Sequence, residues 1–267
     1  MTKIKLKNVT FRYKDQNGEY TALRDINLAV EEGEFLSVIG PSGCGKSTLI
    51  SLFAGLYFPA EGSIILDGRK INGTGSERGV VFQHYSLFPW MTAKKNLIFG
   101  LKQVKKDSSR REIERIADNY LELVGLGSFK NQYPFQLSGG MQQRVAIARA
   151  LAMEPNILLM DEPFGAVDAK NRMALQELLL RLWESGEKKK TVVFVTHDID
   201  EAILLADRII IMSSDPGKIK KEIVVPFTRP RDRSQLFRSP AYSDLRNRLV
   251  NLFYDDLLEK MEEEIVF

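Results

Sequence analysis

Gly40-Pro41-Ser42-Gly43-Cys44-Gly45-Lys46-Ser47 is the stretch on which the reading of this chain turns. It fits G-x-x-x-x-G-K-[ST], the pattern of a phosphate-binding loop. Before it runs Phe35-Leu36-Ser37-Val38-Ile39, an apolar run of the kind buried on both faces of a sheet. After it a helix is predicted from Lys46 to about Leu56. Glycines let backbone N–H groups close around a β-phosphate without Cβ clashes. The helix N-terminus adds the positive end of its dipole. Lys46 is expected to reach the β- and γ-phosphates and Ser47 to ligate Mg²⁺, with Thr48 counted among the nucleotide contacts. Cys44 reads as a small filler; were it exposed, its alkylation would block nucleotide binding.

Outward from the loop, strands alternate with helices. Ile4 and Leu6, then Val9, Phe11 and Tyr13, alternate with polar residues as half-buried strands do. Asp15-Gln16-Asn17-Gly18 is a turn cluster, and a second strand runs from about Ala22 to Val30. Ser63 to Leu66, Gly79 to Phe82, Ile157 to Met160, Thr191 to Val195 and Ile209 to Ile211 read as further strands. Ile113, Ile116, Ala117, Tyr120, Leu121 and Val124 recur at helical spacing, Ser138 to Met153 reads as a helix, and a long helix is expected from about Asp168 to Ser185. The alternation predicts an α/β fold with a mainly parallel sheet, an antiparallel β flank from the early strands, and a helical insertion. From Pro226 the composition shifts to arginine and proline, before a last amphipathic helix with Leu245, Leu249, Leu252 and Phe253. Ile265-Val266-Phe267 carries no reading.

The chain has 267 residues, enough for one large domain or a domain plus an appendage, with a core that needs no staples. With 44% hydrophobic and 27% charged residues it is an ordinary globular composition, which excludes disorder and fibrous repeats. A net charge of +3 is too mild to argue for nucleic acid. Cys44 is the sole cysteine, so no intrachain disulfide forms and a reducing compartment is allowed. No apolar run reaches the ~18 residues that span a bilayer, and the N-terminus lacks the apolar block of a signal peptide. The expectation is a cytosolic chain whose membrane link comes through a partner.

Two further segments carry chemistry. Asp161-Glu162 follows a buried strand: the first carboxylate can hold Mg²⁺ through water, the second can polarise an attacking water. Alone, the pair also fits a helix cap. Leu137-Ser138-Gly139-Gly140-Met141-Gln142 opens a helix with small residues whose N–H groups suit a second phosphate. Ser138 as a plain N-cap fits equally well. One phosphate loop in one chain has no need of a second cradle for its own nucleotide.

Taken in order, these motifs make residues 1 to about 225 resemble the ATP-binding subunits of ABC transporters. Gly40–Ser47 is similar to their Walker A, Leu137–Gln142 to their signature, and Ile157–Glu162 to their Walker B with its catalytic Glu. Gln83 falls where the Q-loop glutamine lies, Asp168 closes a D-loop-like Gly165-Ala166-Val167-Asp168, His197 follows a strand like the switch histidine, and Tyr13 resembles the aromatic that stacks on adenine. On its own, Tyr13 also fits a strand aromatic beside Phe11, and His197 a capping residue. Met141, Gly165 and Val167 depart from the commonest family residues without removing a reacting group.

The resemblance implies a P-loop NTPase (RecA-like) core over residues 1–225, with a helical subdomain at about 90–153 and an appended segment at 226–267. It implies two ATP molecules sandwiched in a head-to-tail homodimer, where Ser138, Gly139 and Gly140 act on the partner's nucleotide. Glu162 is then the general base, His197 holds the γ-phosphate and water, and Gln83 senses Mg²⁺ and a separate integral-membrane permease. A solute-binding protein would deliver the solute, and the chain would sit peripherally on the cytoplasmic face of the inner membrane. Phe82–Trp90, Met160–Ala166 and the tail Phe227–Arg233 resemble importers of the nitrate, sulfonate and taurine group, and importers of thiamin-precursor heterocycles share much of this pattern. Apolar Leu87, Phe88, Pro89 and Trp90, read as exposed, suit a groove for a permease helix. A non-transport ATPase of this family, acting on ribosomes or DNA, usually carries paired nucleotide domains or coiled-coil insertions, and neither is seen here. The arginine-proline tail either packs the last helix on the core, or forms a regulatory surface or contacts the second subunit.

Overall fold

β1 (Thr2–Asp15) and β2 (Gly18–Glu31) form a long antiparallel hairpin with a phase break readable in its residues. Ile4 and Leu6 are buried, and so are Val9 and Phe11, which lie in the opposite phase. A bulge between Leu6 and Val9 takes up the extra residue, with Asn8 at φ 50°. The Asn27 side-chain carbonyl accepts the Asn8 N–H at 2.9 Å. The computed structural model describes residues 1–16, 18–184 and 189–265, with the backbone alone at 15 and 254–265. Asn17 of the expected turn, Ser185 at the end of the expected long helix, and Val266 and Phe267 lie outside them.

The chain continues through β3 (Phe35–Ile39), α1 (Lys46–Ala54), β4 (Glu61–Leu66), β5 (Arg69–Lys70), β6 (Arg78–Val81), α2 (Ala93–Val104), α3 (Arg110–Leu123), α4 (Gly139–Ala152) and β7 (Ile157–Asp161). It then forms α5 (Ala169–Glu184), β8 (Thr191–Val195), α6 (Ile199–Leu205), β9 (Arg208–Ser213), β10 (Lys218–Val224), α7 (Arg233–Leu236) and α8 (Pro240–Ile265). Two compact units result: Met1–Gly73 with Val193–Phe267, and Thr74–Val192.

The first unit contains an antiparallel sheet in the order β2-β1-β4-β5 and the strand run β10-β9-β3-β8. β3 and β9 pair in parallel, Ile39 opposite Ile211, and all of β3 is buried. β10 is an antiparallel edge that the sequence does not announce: Lys220, Lys221 and Glu222 separate Ile219 from Ile223, and a bulge breaks the alternation. α1 stops at Ala54, two residues before the expected Leu56, because Gly55 turns left-handed at φ 74° and caps it.

In the second unit β6 and β7 pair in parallel, Val81 opposite Met160. α2, α3 and α4 pack together as the expected helical part. α3 buries only Ile113, Ala117 and Leu121, whereas α4 is buried on most sides. Thr92, Ser109 and Ser138 each cap a helix by accepting a backbone N–H.

The tail packs on α6. Arg231 Nη1 donates to the carbonyls of Ile203, Leu204 and Ala206 at 2.9, 3.0 and 2.7 Å, satisfying the end of that helix. Arg229 donates to Asp207 at 2.8 Å and to the Leu205 carbonyl. At the other end of α6, Tyr242 Oη and Arg246 Nε of α8 both donate to Asp200 Oδ1, at 2.6 and 2.8 Å. Burial first, then the Asp200 carboxylate, push the Tyr242 phenol above its ordinary range. Among the described residues no helix is long and apolar enough to cross a membrane.

Candidate functional site

In the first unit β3 delivers the chain into Gly40–Gly45, and α1 begins at Lys46. Gly45 adopts φ +90°, and a Cβ there would lie 2.5 Å from Leu23 Cδ2, so no other residue closes this turn. Lys46 is buried, and its Nζ donates to the carbonyls of Gly40 at 2.8 Å and Pro41 at 2.9 Å. The loop thus holds the ammonium at its own rim. Ser42, Gly43 and Ser47 face solvent. Cys44 is fully buried, and burial pushes its thiol pKa up. The condition for alkylation, an exposed Cys44, is therefore not met: the side chain is buried filler.

Tyr13 Oη lies 3.0 Å from Thr48 Oγ1, which ties the hairpin to the first turn of α1. Its ring meets Phe11 edge-on at 4.9 Å and Tyr57 at 5.9 Å, yet 40% of the residue stays exposed. Tyr13 is thus packed in an aromatic cluster with part of its ring left at the surface. Tyr57 carries no sequence signal; it sits in a turn after α1.

Also in the first unit, β8 leads to His197. Thr196 Oγ1 donates to Glu201 at 2.7 Å and accepts from Asp198 N at 3.0 Å. Asp198 caps α6 by accepting from Asp200 N and Glu201 N at 2.8 and 3.1 Å. His197 is exposed between these two anchored neighbours.

The second unit holds the carboxylates. β7 is buried throughout and ends in Asp161. Glu162 follows at φ +46°, a conformation that a non-glycine residue adopts at a cost. Because Val81 pairs with Met160, Gln83 and Glu162 emerge side by side, each two residues on. Gln83 Nε2 donates to Glu162 Oε2 at 3.2 Å.

The same unit holds the signature-like segment. Ser138 Oγ accepts from Met141 N at 3.3 Å, and Gln142 Nε2 donates to the Leu137 carbonyl at 3.1 Å. A Cβ on Gly139 would lie 2.7 Å from Tyr85 Oη, and one on Gly140 2.9 Å from the Ala166 carbonyl. Asp168 accepts from Asn171 N at 3.1 Å and Nδ2 at 2.6 Å, and these bonds hold its carboxyl below the usual range. Of the apolar residues at 87–90, Pro89 and Trp90 are exposed, whereas Leu87 and Phe88 are half-buried. Phe88 packs on Phe99 at 4.6 Å and Trp90 at 5.5 Å, which corrects the fully exposed stripe. Tyr85 and Arg149, both in contact with the Gln83 loop or the signature segment, had no motif to mark them.

Residues 23–165 match the ABC transporter family. The chain belongs to the ABC transporter family. It is 48% identical to the nitrate import ATP-binding protein NrtD of Synechococcus elongatus, over 89% of this chain and 86% of that protein. It is 44% identical to the bicarbonate transport ATP-binding protein CmpD of Synechocystis, over 94% and 89%. A dimeric ATP-binding cassette in a post-hydrolysis state, bound to ADP and Pi, superposes with a TM-score of 0.77 at 39% identity, over 84% of this chain and all of that one. The fold is thus that of an ABC cassette, a P-loop NTPase, and the chain is an ATP-hydrolysing ABC subunit.

Proposed function

We propose that this ABC ATPase energises import of a small oxyanion of the nitrate and bicarbonate kind, as a homodimer under a separate integral-membrane permease. The names of its relatives motivate the solute class, and the absence of a membrane-crossing helix among the described residues leaves the pore to a partner. A solute-binding protein supplies the solute outside, and this chain works peripherally at the cytoplasmic face. Residues 1–225 form the ATP-binding domain, with 226–267 appended.

The observation that carries the reading is the carboxylate of Glu162, set at φ +46° after a buried strand and touched by the Gln83 amide at 3.2 Å. An amide orients a carboxylate without neutralising it, so Glu162 stays able to take a proton from water. Gly40–Thr48 bind the ATP phosphates and Tyr13 stacks on the base. Ser138, Gly139 and Gly140 engage the partner's γ-phosphate, flanked by Leu137, Met141 and Gln142. His197 fixes γ-phosphate and water, and Asp168 faces the partner.

Ser47 in the first unit, and Gln83 and, through water, Asp161 in the second, each carry hard oxygen atoms of the kind that suits Mg²⁺. When bound, such a cation neutralises charge on the phosphate oxygens. Glu162→Gln keeps ATP binding and loses hydrolysis, so sedimentation with ATP shows a trapped dimer. Wild-type turnover in that variant would refute the assignment.

A further inference from the structure

The appended helix α8 reaches back to the segment that carries His197. Thr196 N donates to the Val38 carbonyl at 3.2 Å, so the chain leaves β8 beside the strand that feeds the phosphate loop. His197 follows, exposed, between two residues held by α6. Thr196 Oγ1 donates to Glu201 at 2.7 Å, and Asp198 accepts the Asp200 and Glu201 amides at 2.8 and 3.1 Å. Asp200 joins this turn to α8. Its amide holds the cap next to His197, while its Oδ1 accepts from Tyr242 Oη at 2.6 Å and from Arg246 Nε at 2.8 Å. Tyr242 is itself fixed: it is 6% exposed, its ring lies 4.8 Å from that of Phe237, and its amide donates to the Ser239 carbonyl at 3.2 Å. Leu245 and Leu249, one and two turns further along α8, are buried and seat the helix. Burial first, then the Asp200 carboxylate, keep the phenol protonated and hence a donor. At the far end of α6, Arg229 and Arg231 bond its last carbonyls, so the tail grips this helix at both ends.

We propose that Tyr242, assisted by Arg246, is a positioning residue for ATP hydrolysis: it fixes Asp200, and through Asp200 the turn that presents His197 to the γ-phosphate. The proposal rests on the role given to His197 above. α6 has seven residues, too few to be stable without outside contacts at its first turn. Without the phenol, Asp200 keeps only a half-exposed arginine, and an exposed ion pair holds geometry weakly. The start of α6 then loosens, and both neighbours of His197 with it. A shift of about 1 Å at a reacting group can cost about a hundredfold in rate, and loss of one of two supports costs less. ATP binding is spared, because Lys46 and Tyr13 are held by contacts of their own. The segment after residue 225, which carries no nucleotide motif, thereby serves hydrolysis.

The test is a set of variants of the full chain, each assayed for ATP hydrolysis with His197 present and with His197→Ala. Tyr242→Phe removes the donor and keeps the ring. It is expected to lower kcat about three- to tenfold while KM for ATP stays within about twofold. Asp200→Ala should lose as much, and Asp200→Asn, which keeps an acceptor for the phenol, should recover most of that loss. Arg246→Gln, at a half-exposed site that leaves the core untouched, should lower kcat about twofold. In the His197→Ala background the same changes should leave the residual rate within about 1.5-fold, because the group they position is gone. A merely structural support would act equally in both backgrounds. Two results overturn the proposal: wild-type kcat in both Tyr242→Phe and Asp200→Ala, or losses of equal size with and without His197. Wild-type turnover in His197→Ala itself overturns the functional role of His197 as well, whereas the first two results leave that role standing.

Discussion

Removing Arg231 should cost the first unit about 3 kcal/mol, and the structure says where. One guanidinium nitrogen serves three carbonyls at the end of α6, those of Ile203, Leu204 and Ala206, at 2.7 to 3.0 Å. Nε and Nη2 add the Phe227 carbonyl at 3.3 and 3.2 Å. Hydrogen bonds with a charged partner are worth about 1.5–3 kcal/mol, and a cation at a partly buried helix C-terminus adds up to about 2. These terms overlap, because the helix end is the set of carbonyls, so about 3 kcal/mol is the estimate for Arg231→Ala. For a unit of this size 1 kcal/mol shifts the melting temperature by about 2–4 °C, which gives a drop of about 6–12 °C by calorimetry. Arg231→Lys should recover less than half, since one ammonium cannot reproduce the planar fork. A drop below about 2 °C for Arg231→Ala would show that water satisfies these carbonyls equally well and that the tail is not a clamp.

Cys44 should resist a thiol reagent in the folded chain and titrate as one thiol in denaturant, because it is buried with its pKa raised; fast native labelling would contradict the enclosed loop. Asp118 gives a pH dependence of defined sign. Burial pushes its carboxyl up, but the Lys94 hydrogen bond at 2.8 Å and the Lys130 ion pair at 3.1 Å outweigh it and hold the pKa low. Its contribution is therefore full above the unfolded value of about 3.9 and is lost as pH falls below it. Urea midpoints at pH 5 and pH 3 should differ less in Asp118→Asn than in the wild type, and an equal difference would refute the assignment.

The phosphate loop, the strand before it and the helix after it were legible because phosphate chemistry fixes residue type at fixed spacing. Gly45 could be read as obligatory before its clash with Leu23 was known. The strand character of β1 was also legible from its alternation, although the bulge between Leu6 and Val9 was not read. β10 was not, because an edge strand with exposed lysines buries too little to show a period. Nor was the clamp on α6. Arg229 and Arg231 bond mainly to backbone carbonyls, which any sequence possesses, so nothing in the partner residues marks the contact. The partial burial of Phe88 is likewise silent in the sequence, because its cover includes Phe99, eleven residues on in α2.

The signature segment shows why a cap and a phosphate cradle are hard to tell apart in sequence. Both need a helix start with small residues, and both use the N–H groups that a first turn leaves unbonded. Ser138 takes only one of them, that of Met141. A cap alone, however, has no use for two glycines in the first helical turn, where alanine is the better helix former. Here each glycine answers to a neighbour: Gly139 to the Tyr85 hydroxyl and Gly140 to the Ala166 carbonyl. Those neighbours belong to the loops of Gln83 and Asp168, so the helix start is crowded from both sides. A helix under no such demand would carry alanine at both positions, and its start would stand clear of the loops. The glycines are therefore explained by what packs against them.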